Sequence, residues 1–400
     1  MQTLPRNLSI SFNDTDKALK ETLKAFGEWD VYYIRKPDGS VFVPGDLDLT
    51  GKRLGKLPDM SKVAVGGSFS CDKNDLKSLA GAPQSVGGDF SCAFNRLPTL
   101  EHAPGRVGGS FVCDYNELVS LEYAPRSVNG SFSCASNMLA SLKHAPQYVG
   151  GSFSCARNQI VSLEYAPKTV KGGFSCESNA LASLEFGPAA VSGNFDCSGN
   201  ALVSLQYAPQ SVDGDFLCHS NKLASLEFAP GYVGDSFICS HNALTSLEHA
   251  PKKVGGSFIC TDNKIASLRH IPGTVPGDLM CAKNELTSLA HGPAFVGGMF
   301  FCSFNRLASL EHAPQYVGTK MSCGYNKLAS LEHAPRHFEE MISDFGDYGS
   351  YDEIPEELLG SSGIKGKPDA ALIAVSALPK LVTAPKRARF TKIMQKQPSG

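Results

Sequence analysis

Gly150-Gly151-Ser152-Phe153-Ser154-Cys155-Ala156-Arg157-Asn158-Gln159-Ile160-Val161-Ser162-Leu163-Glu164-Tyr165-Ala166-Pro167 is one copy of a unit that recurs along most of the chain. Cys155 belongs to a set of thirteen cysteines, Cys71 to Cys323, each 21 residues after the last. Asparagine follows every cysteine by three residues, leucine or isoleucine by five, leucine by eight and proline by twelve. Phenylalanine stands two before each cysteine except at Leu279 and Met321, and valine stands six before all of them. Such regularity requires an internal structural repeat. An earlier, degenerate copy, Val43-Pro44-Gly45-Asp46-Leu47-Asp48-Leu49, aligns with Val275-Pro276-Gly277-Asp278-Leu279-Met280-Cys281. It puts Leu49 in the cysteine slot and brings the count to fourteen coils.

The Phe-x-Cys alternation has the period of a strand with one face inward. Each coil is therefore expected to give one short parallel strand. Neighbours about 4.8 Å apart would stack into an arc on the order of 60 Å. The glycine pair before the strand is expected to make a tight bend at positive φ. The Ala-Pro step after the last leucine excludes a long helix on the return side, which leaves extended or polyproline-like chain there. Composition adds no general pull toward nucleic acid or membrane: the 400 residues carry a net charge of −2 and are 42% hydrophobic. No run of about 18 apolar residues occurs, so no membrane helix is expected. The start, Met1 to Arg6, lacks a basic stretch followed by an apolar one, so no signal peptide is expected either.

The unit also resembles the leucine-rich repeat L-x-x-L-x-L-x-x-N-x-L, with phenylalanine in the second leucine slot and cysteine in the third. It resembles two groups in particular. The string Asn305-Arg306-Leu307-Ala308-Ser309-Leu310 is similar to the N-x-L-x-S-L-P coils of secreted bacterial effectors of the YopM and IpaH kind, with Glu311 in place of the proline. The coil quoted first resembles the G-G-x-F-x-C-x-x-N-x-L-x-S-L-E-x-A-P repeats of tailed-bacteriophage proteins, with Ile160 for one leucine. The resemblance spans residues 43–338 and implies a leucine-rich-repeat solenoid: a curved parallel β-sheet with extended, non-helical return segments and a small α+β N-terminal cap. It also implies a scaffold, because such repeats serve many partners. The ubiquitin-ligase activity of some effectors needs a catalytic cysteine in a long C-terminal domain, and no cysteine follows Cys323.

Solenoid ends expose apolar edges and need covers. Residues 1–42 are expected to form the N-terminal cap. Asn13-Asp14-Thr15 would start a helix, Leu19, Leu23 and Phe26 would make its apolar stripe, and Gly27 would close it. Asp38-Gly39, flanked by Tyr32-Tyr33-Ile34 and Val41-Phe42-Val43, signals a hairpin. Residues 43–338 are expected to form the solenoid and 339–360 an acidic C-terminal cap, and Phe338, Met341, Ile342 and Phe345 would close the last coil. Residues 361–400 are a basic tail that is expected to be flexible. Residues 337–360 hold eight acids and no Lys or Arg, and 361–400 hold eight Lys or Arg and one Asp. Pro385-Lys386-Arg387-Ala388-Arg389 is the one place where contact with nucleic acid or another acidic partner is considered.

Three columns invite chemistry. The cysteines could bind metal or pair, but no C-x-x-C occurs, and their inward slot suits a small hydrophobe. Reduced, buried thiols favour a cytoplasm, that of the host if the protein is phage-encoded. The asparagines are expected to form an inward ladder that satisfies backbone groups at the bend. Ten residues after the cysteine lie His249, His270, His291, His312 and His333, preceded in earlier coils by His102, Tyr123, His144, Tyr165, Phe186, Tyr207 and Phe228. A stacked planar ladder is expected there, with metal binding or pH sensing as the competing reading. No catalytic residue, cofactor site or metal site is assigned.

The variable positions carry the functional expectation. Directly before the cysteine, early coils hold mostly serine, whereas five successive later coils hold Leu217, Ile238, Ile259, Met280 and Phe301. Phe304 and Tyr325, two residues past their cysteines, extend this apolar stripe, and Met299 lies beside it. The stripe is expected to bind a protein partner on the concave face. The setting implied by resemblance is a phage-encoded protein acting on a host factor. A virion or assembly component is the first alternative, and the substrate receptor of an enzyme is the second.

Overall fold

The computed structural model describes residues 17–360. A parallel β-solenoid occupies most of it. Leu47–Asp48 and the Phe-x pairs that follow line up in one 16-stranded sheet that ends at Gly346–Tyr348. Register is constant: Phe132 pairs with Phe111 on one side and Phe153 on the other, so like stacks on like. Eleven phenylalanines, Phe69 to Phe258 with Phe300, are almost completely buried in this way. Consecutive rings from Phe69 to Phe258 lie 5.0–5.9 Å apart. Each such pair adds about 0.5–1.5 kcal/mol beyond burial alone. The cysteine and both leucines of each coil fill the rest of a continuous core.

The coil holds a second strand that the Phe-x-Cys pattern alone did not announce. The valine six before the cysteine pairs in parallel with the next valine within runs of coils, as Val128 does with Val149 and Val149 with Val170. These two-residue strands form separate short sheets rather than one ladder. One buried valine flanked by an unconstrained residue is too short a pattern for a period of two to show.

The glycine pairs are needed for a different reason from the one expected. None of them has positive φ. Their turns stack so closely that a Cβ on Gly255 would collide with the Gly234 carbonyl oxygen, and one on Gly88 would meet Ser68 Oγ at 2.6 Å. Positive φ falls instead on side-chain-bearing residues two and ten past the cysteine, such as Phe304 (φ 55°) and His270 (φ 76°).

The asparagine ladder has full partners. Asn200 Nδ2 donates to the carbonyls of Cys176, Cys197 and Ser198 at 3.0, 3.1 and 3.1 Å. Its Oδ1 accepts the Leu181 N–H at 3.0 Å. The serine of the L-x-S-L string accepts the N–H two residues on, as Ser162 Oγ does from Glu164 at 3.1 Å, and so sets the next turn.

At the N-terminal end a helix, Lys17–Glu28, buries Leu19, Thr22 and Phe26, with Leu23 half-buried. Thr22 Oγ1 donates to the Asp59 carbonyl at 2.9 Å, which ties the helix to the first coil. Gly27 does not end the helix: Asp30 takes the left-handed conformation (φ 55°), and Val31 N–H returns to the Phe26 carbonyl at 2.9 Å. The expected helix start at Asn13-Asp14-Thr15 lies outside the described residues. Ile34–Arg35 and Val41–Val43 form the antiparallel hairpin around Gly39, and Val41–Val43 continues in parallel onto Val63–Val65.

At the other end Glu340–Ser343 adds a parallel strand, with Met341 buried opposite Met321 in the phenylalanine column. Gly346–Tyr348 then runs back antiparallel. Phe338 is buried, Ile342 half-buried and Phe345 exposed; Ile354 and Leu359 complete the closure. Asp344 replaces the missing next coil: its carboxylate accepts the N–H of Tyr325 at 2.8 Å and that of Asn326 at 3.4 Å. The expectations for residues 361–400, flexibility and the basic Pro385–Arg389 stretch included, fall outside the described residues. Among the described residues no helix is long and apolar enough to cross a membrane.

Candidate functional site

A strand residue between two buried neighbours must face the other side of the sheet. This places Leu217, Ile238, Ile259, Met280 and Phe301 in one column. Leu217 pairs with Ile238, Ile238 with Ile259, Ile259 with Met280, and Met280 with Phe301. All five are half-buried. The column runs on to Ser322 at one end and Asp196 at the other.

Phe304 and Tyr325 form a second, neighbouring column. Their rings stack at 4.2 Å with planes 6° apart, and Tyr325 is 69% exposed. Left-handed backbone holds both outward. Met299, half-buried beside the stripe, hangs from Asp278, whose Oδ1 accepts its N–H at 2.8 Å. Sequence reasoning missed a counterpart near the other end: Phe94 and Tyr115 stack at 4.3 Å and 8°. They hold the same place two past the cysteine, so comparing coils at that position would have found them. It also missed a stack of Phe295, Tyr316 and His337 on the valine side, at 5.0 and 4.3 Å.

Below Leu217 the face turns polar. Burial raises the Asp196 carboxyl above the usual range, opposed by hydrogen bonds from Ser198. Ser198 N–H and Oγ reach Asp196 Oδ1 at 3.0 and 2.5 Å. Burial lowers His219, against the pull of Asp196 and Glu177. His219 Nδ1 faces Ser220 Oγ at 3.1 Å. These are the residue types of an acyl-transfer site, but Asp196 is turned to Ser198, so the aspartate does not orient the imidazole as such chemistry needs.

The thirteen cysteines are buried and unpaired. Burial pushes their thiols up, to about 12 at Cys260 and Cys323. That is the opposite of a reactive or ligating cysteine.

The histidine column does not form the expected planar ladder: among the described residues no ring contact joins its successive members. Each member sits third in a tight turn, as where Ala313 N–H returns to the Leu310 carbonyl at 2.9 Å, and takes positive φ. Where a glutamate precedes the histidine, the ring lies near that residue. His312 Nε2 lies 3.6 Å from Glu311 Oε1, and His249 Nε2 lies 4.0 Å from Glu248 Oε1. Among the described residues no group of three or more His, Cys, Asp or Glu side chains has an arrangement that could hold a metal ion.

No family model matches this sequence. No curated protein matches it either. Solved structures do match. YopM from Yersinia enterocolitica superposes with a TM-score of 0.58 at 23% identity, over 71% of this chain and 63% of that one. The chain thus spans somewhat under two thirds of that protein's length. YopM from Yersinia pestis, a leucine-rich effector, gives a TM-score of 0.50 at 17% identity, over 81% of this chain and 99% of that one. At such identities the likeness is one of fold. With the stacked parallel coils and the N-terminal helix, it makes this chain a leucine-rich-repeat solenoid.

Proposed function

We propose that the protein is an interaction scaffold without catalysis of its own, and that it binds a protein partner on the concave face through Leu217, Ile238, Ile259, Met280, Phe301, Phe304 and Tyr325. The observation that carries the reading is the unbroken half-open column from Leu217 to Phe301. Early coils put serine in the same slot, so the fold does not need these side chains. Covering each would contribute roughly 1.5–3 kcal/mol before the costs of association. The four-part organisation into 1–42, 43–338, 339–360 and 361–400 belongs to the same proposal. So does the setting: a phage-encoded protein that meets a host factor in the host cytoplasm, which the repeat motif and the unpaired thiols support. An assembly role is the second reading, favoured by the open Phe304–Tyr325 stack if a structural subunit covers it.

The test is affinity capture from host lysate with the intact chain, followed by titration of the captured protein. The pair Ile259→Ser and Phe301→Ser should weaken binding on the order of a hundredfold while unfolding stays unchanged. The pair Ser91→Ile and Ser154→Phe should leave binding intact. Normal binding by the serine pair would refute the site. Recovery of the protein in purified particles would favour the assembly reading.

A further inference from the structure

Two places on the chain carry the same set of side chains, ten coils apart. Two residues past the cysteine stand Lys73, Phe94 and Tyr115 in successive coils, and again Lys283, Phe304 and Tyr325. That position holds no other Phe or Tyr. The coils of Phe94 and Phe304 are also the only ones with arginine four past the cysteine, Arg96 and Arg306. The geometry repeats with the letters. The rings stack at 4.3 Å in the first pair and 4.2 Å in the second, and all four residues are exposed on left-handed backbone. Arg96 lies 3.2 Å from Asp75, and Arg306 lies 3.2 Å from Glu285. Wholesale copying of coils does not explain the likeness, because other variable positions differ: Asp89, Ser91 and Pro98 stand where the later coil has Met299, Phe301 and Ala308.

The charges beside the rings also differ. Asp72, Asp114 and Glu117 flank the first platform; Ala282, Gly324 and Lys327 hold those places at the second, where Asp344 adds one acid. Lys73 sets its ammonium over the Phe94 ring at 5.4 Å, so the stack accepts a cation on its face. After Tyr115 the column continues with the small Ser136, and Tyr325 belongs to the last cysteine coil.

A surface with the same letters in reverse order matches both platforms, and a second copy of the chain has one. In an antiparallel pair with its two-fold axis at Gly199, Phe94 stands opposite Phe304 of the other copy, Lys73 opposite Tyr325, Tyr115 opposite Lys283, and Asp75 opposite Lys327. The axis repeats every contact, so forming one platform contact forms the other. Ser178 falls opposite Ser220 at the centre, and no large side chain holds the copies apart there. Like charges that come face to face have acids or bases of their own chain. Arg157 has Glu177 at 3.7 Å, His241 has Asp262 at 2.8 Å, and Glu285, opposite Glu117, has Arg306. A nucleic-acid strand would also stack on such rings, but the acids beside Tyr115 repel its phosphates.

We propose that the chain forms an antiparallel two-fold dimer in which Phe94 and Tyr115 of each copy cover Phe304 and Tyr325 of the other. The inference goes beyond partner binding: it gives Phe304 and Tyr325 to a second copy and leaves the Leu217–Phe301 stripe to a foreign partner.

The test is sedimentation of the full chain over a range of concentrations, with amine cross-linking of mixed heavy-isotope and ordinary chains. A concentration-dependent dimer is expected. Lys73 and Lys327 lie twelve coils, about 58 Å, apart along one chain, so a short linker between them must join two copies. Heavy-to-light links between these two lysines are expected. Asp75→Lys alone, or Lys327→Asp alone, should weaken the dimer about tenfold, and the two together should restore it. Phe94→Ser with Tyr325→Ser should weaken it on the order of a hundredfold with unfolding unchanged, since Ser136, Ser178 and Ser220 occupy the same slot. A chain that stays monomeric, a dimer indifferent to the charge reversals or not restored by the pair, or links that join Lys73 to Lys73 would overturn the proposal. No foreign protein is present, so the outcome is separate from what the apolar stripe binds.

Discussion

Raising the pH should unfold the solenoid at an unusually mild value, because its core is lined with thiols. All thirteen cysteines are buried, and burial pushes their ionisation up, with neighbouring thiols adding to the rise at positions such as Cys239. In the unfolded chain each would ionise near 8.5. A group whose folded pKa lies above its unfolded one stabilises the fold fully below the unfolded value, and that stability is lost as pH rises. At pH 7.5 the effect is negligible. At pH 9.5 each unfolded thiol is favoured by about 1.4 kcal/mol, and thirteen together by ~18 kcal/mol, against a usual total stability of ~5–15 kcal/mol. If the array opens in segments, the loss scales with the coils in each. The assay is urea unfolding followed by circular dichroism between pH 7 and 10. The stability slope should approach thirteen protons per molecule above pH 9. Replacing Cys218, Cys239 and Cys260 by alanine should reduce that slope by three, whatever it does to stability at pH 7. Stability at pH 9.5 within ~2 kcal/mol of that at pH 7.5 would refute the reasoning.

Other outcomes follow from single contacts. Asn200→Ala should cost about 1–3 kcal/mol and remove hydrogen-exchange protection at Leu181 N–H. Only that donor is orphaned, since Asn221 still serves the Cys197 carbonyl at 3.0 Å. Asn74→Ala should cost less, because the bond from Leu54 N–H to its Oδ1 is already long at 3.3 Å. Gly255→Ala should lower the melting temperature by several degrees, and Gly231→Ala, with open space around it, should not. Native protein at pH 8 should resist thiol reagents over hours and react at thirteen sites once unfolded; rapid native labelling would contradict the buried column.

The stacking direction, the inward slots and the coil length were legible because each leaves a mark every 21 residues. The cysteine column and the asparagine ladder could be placed from spacing alone, since only one side of a strand can be buried. The valine strand could not, because two residues carry no period. The glycine pair was legible as a turn, but its cause was not: close approach of one coil to the next is invisible in a single coil. The histidine column failed for a related reason. Spacing shows which residues share a column, but backbone handedness decides whether the rings meet, and nothing in Leu310-Glu311-His312-Ala313 announces a left-handed third residue. The apolar stripe was legible as a column. The Phe94–Tyr115 pair at the far end was equally visible in the letters and was passed over because no run of neighbours drew attention to it.

The interior of the solenoid has no sense of position along its own axis. Each cysteine carbonyl but the last, that of Cys323, receives one amide from its own asparagine and one from the next, whichever coil that is. Removing a whole coil, or inserting a copy of one, therefore presents every donor with the acceptor it had before. Length is defined only at the ends, by the helix that docks on Asp59 and by Asp344, whose carboxylate stands where another coil would begin. A gene encoding such an array can lengthen or shorten by 63-nucleotide steps, 21 codons at a time, and each step would shift the apolar stripe relative to one terminus without disturbing the core. Reach, more than affinity, is the property this architecture leaves easiest to change.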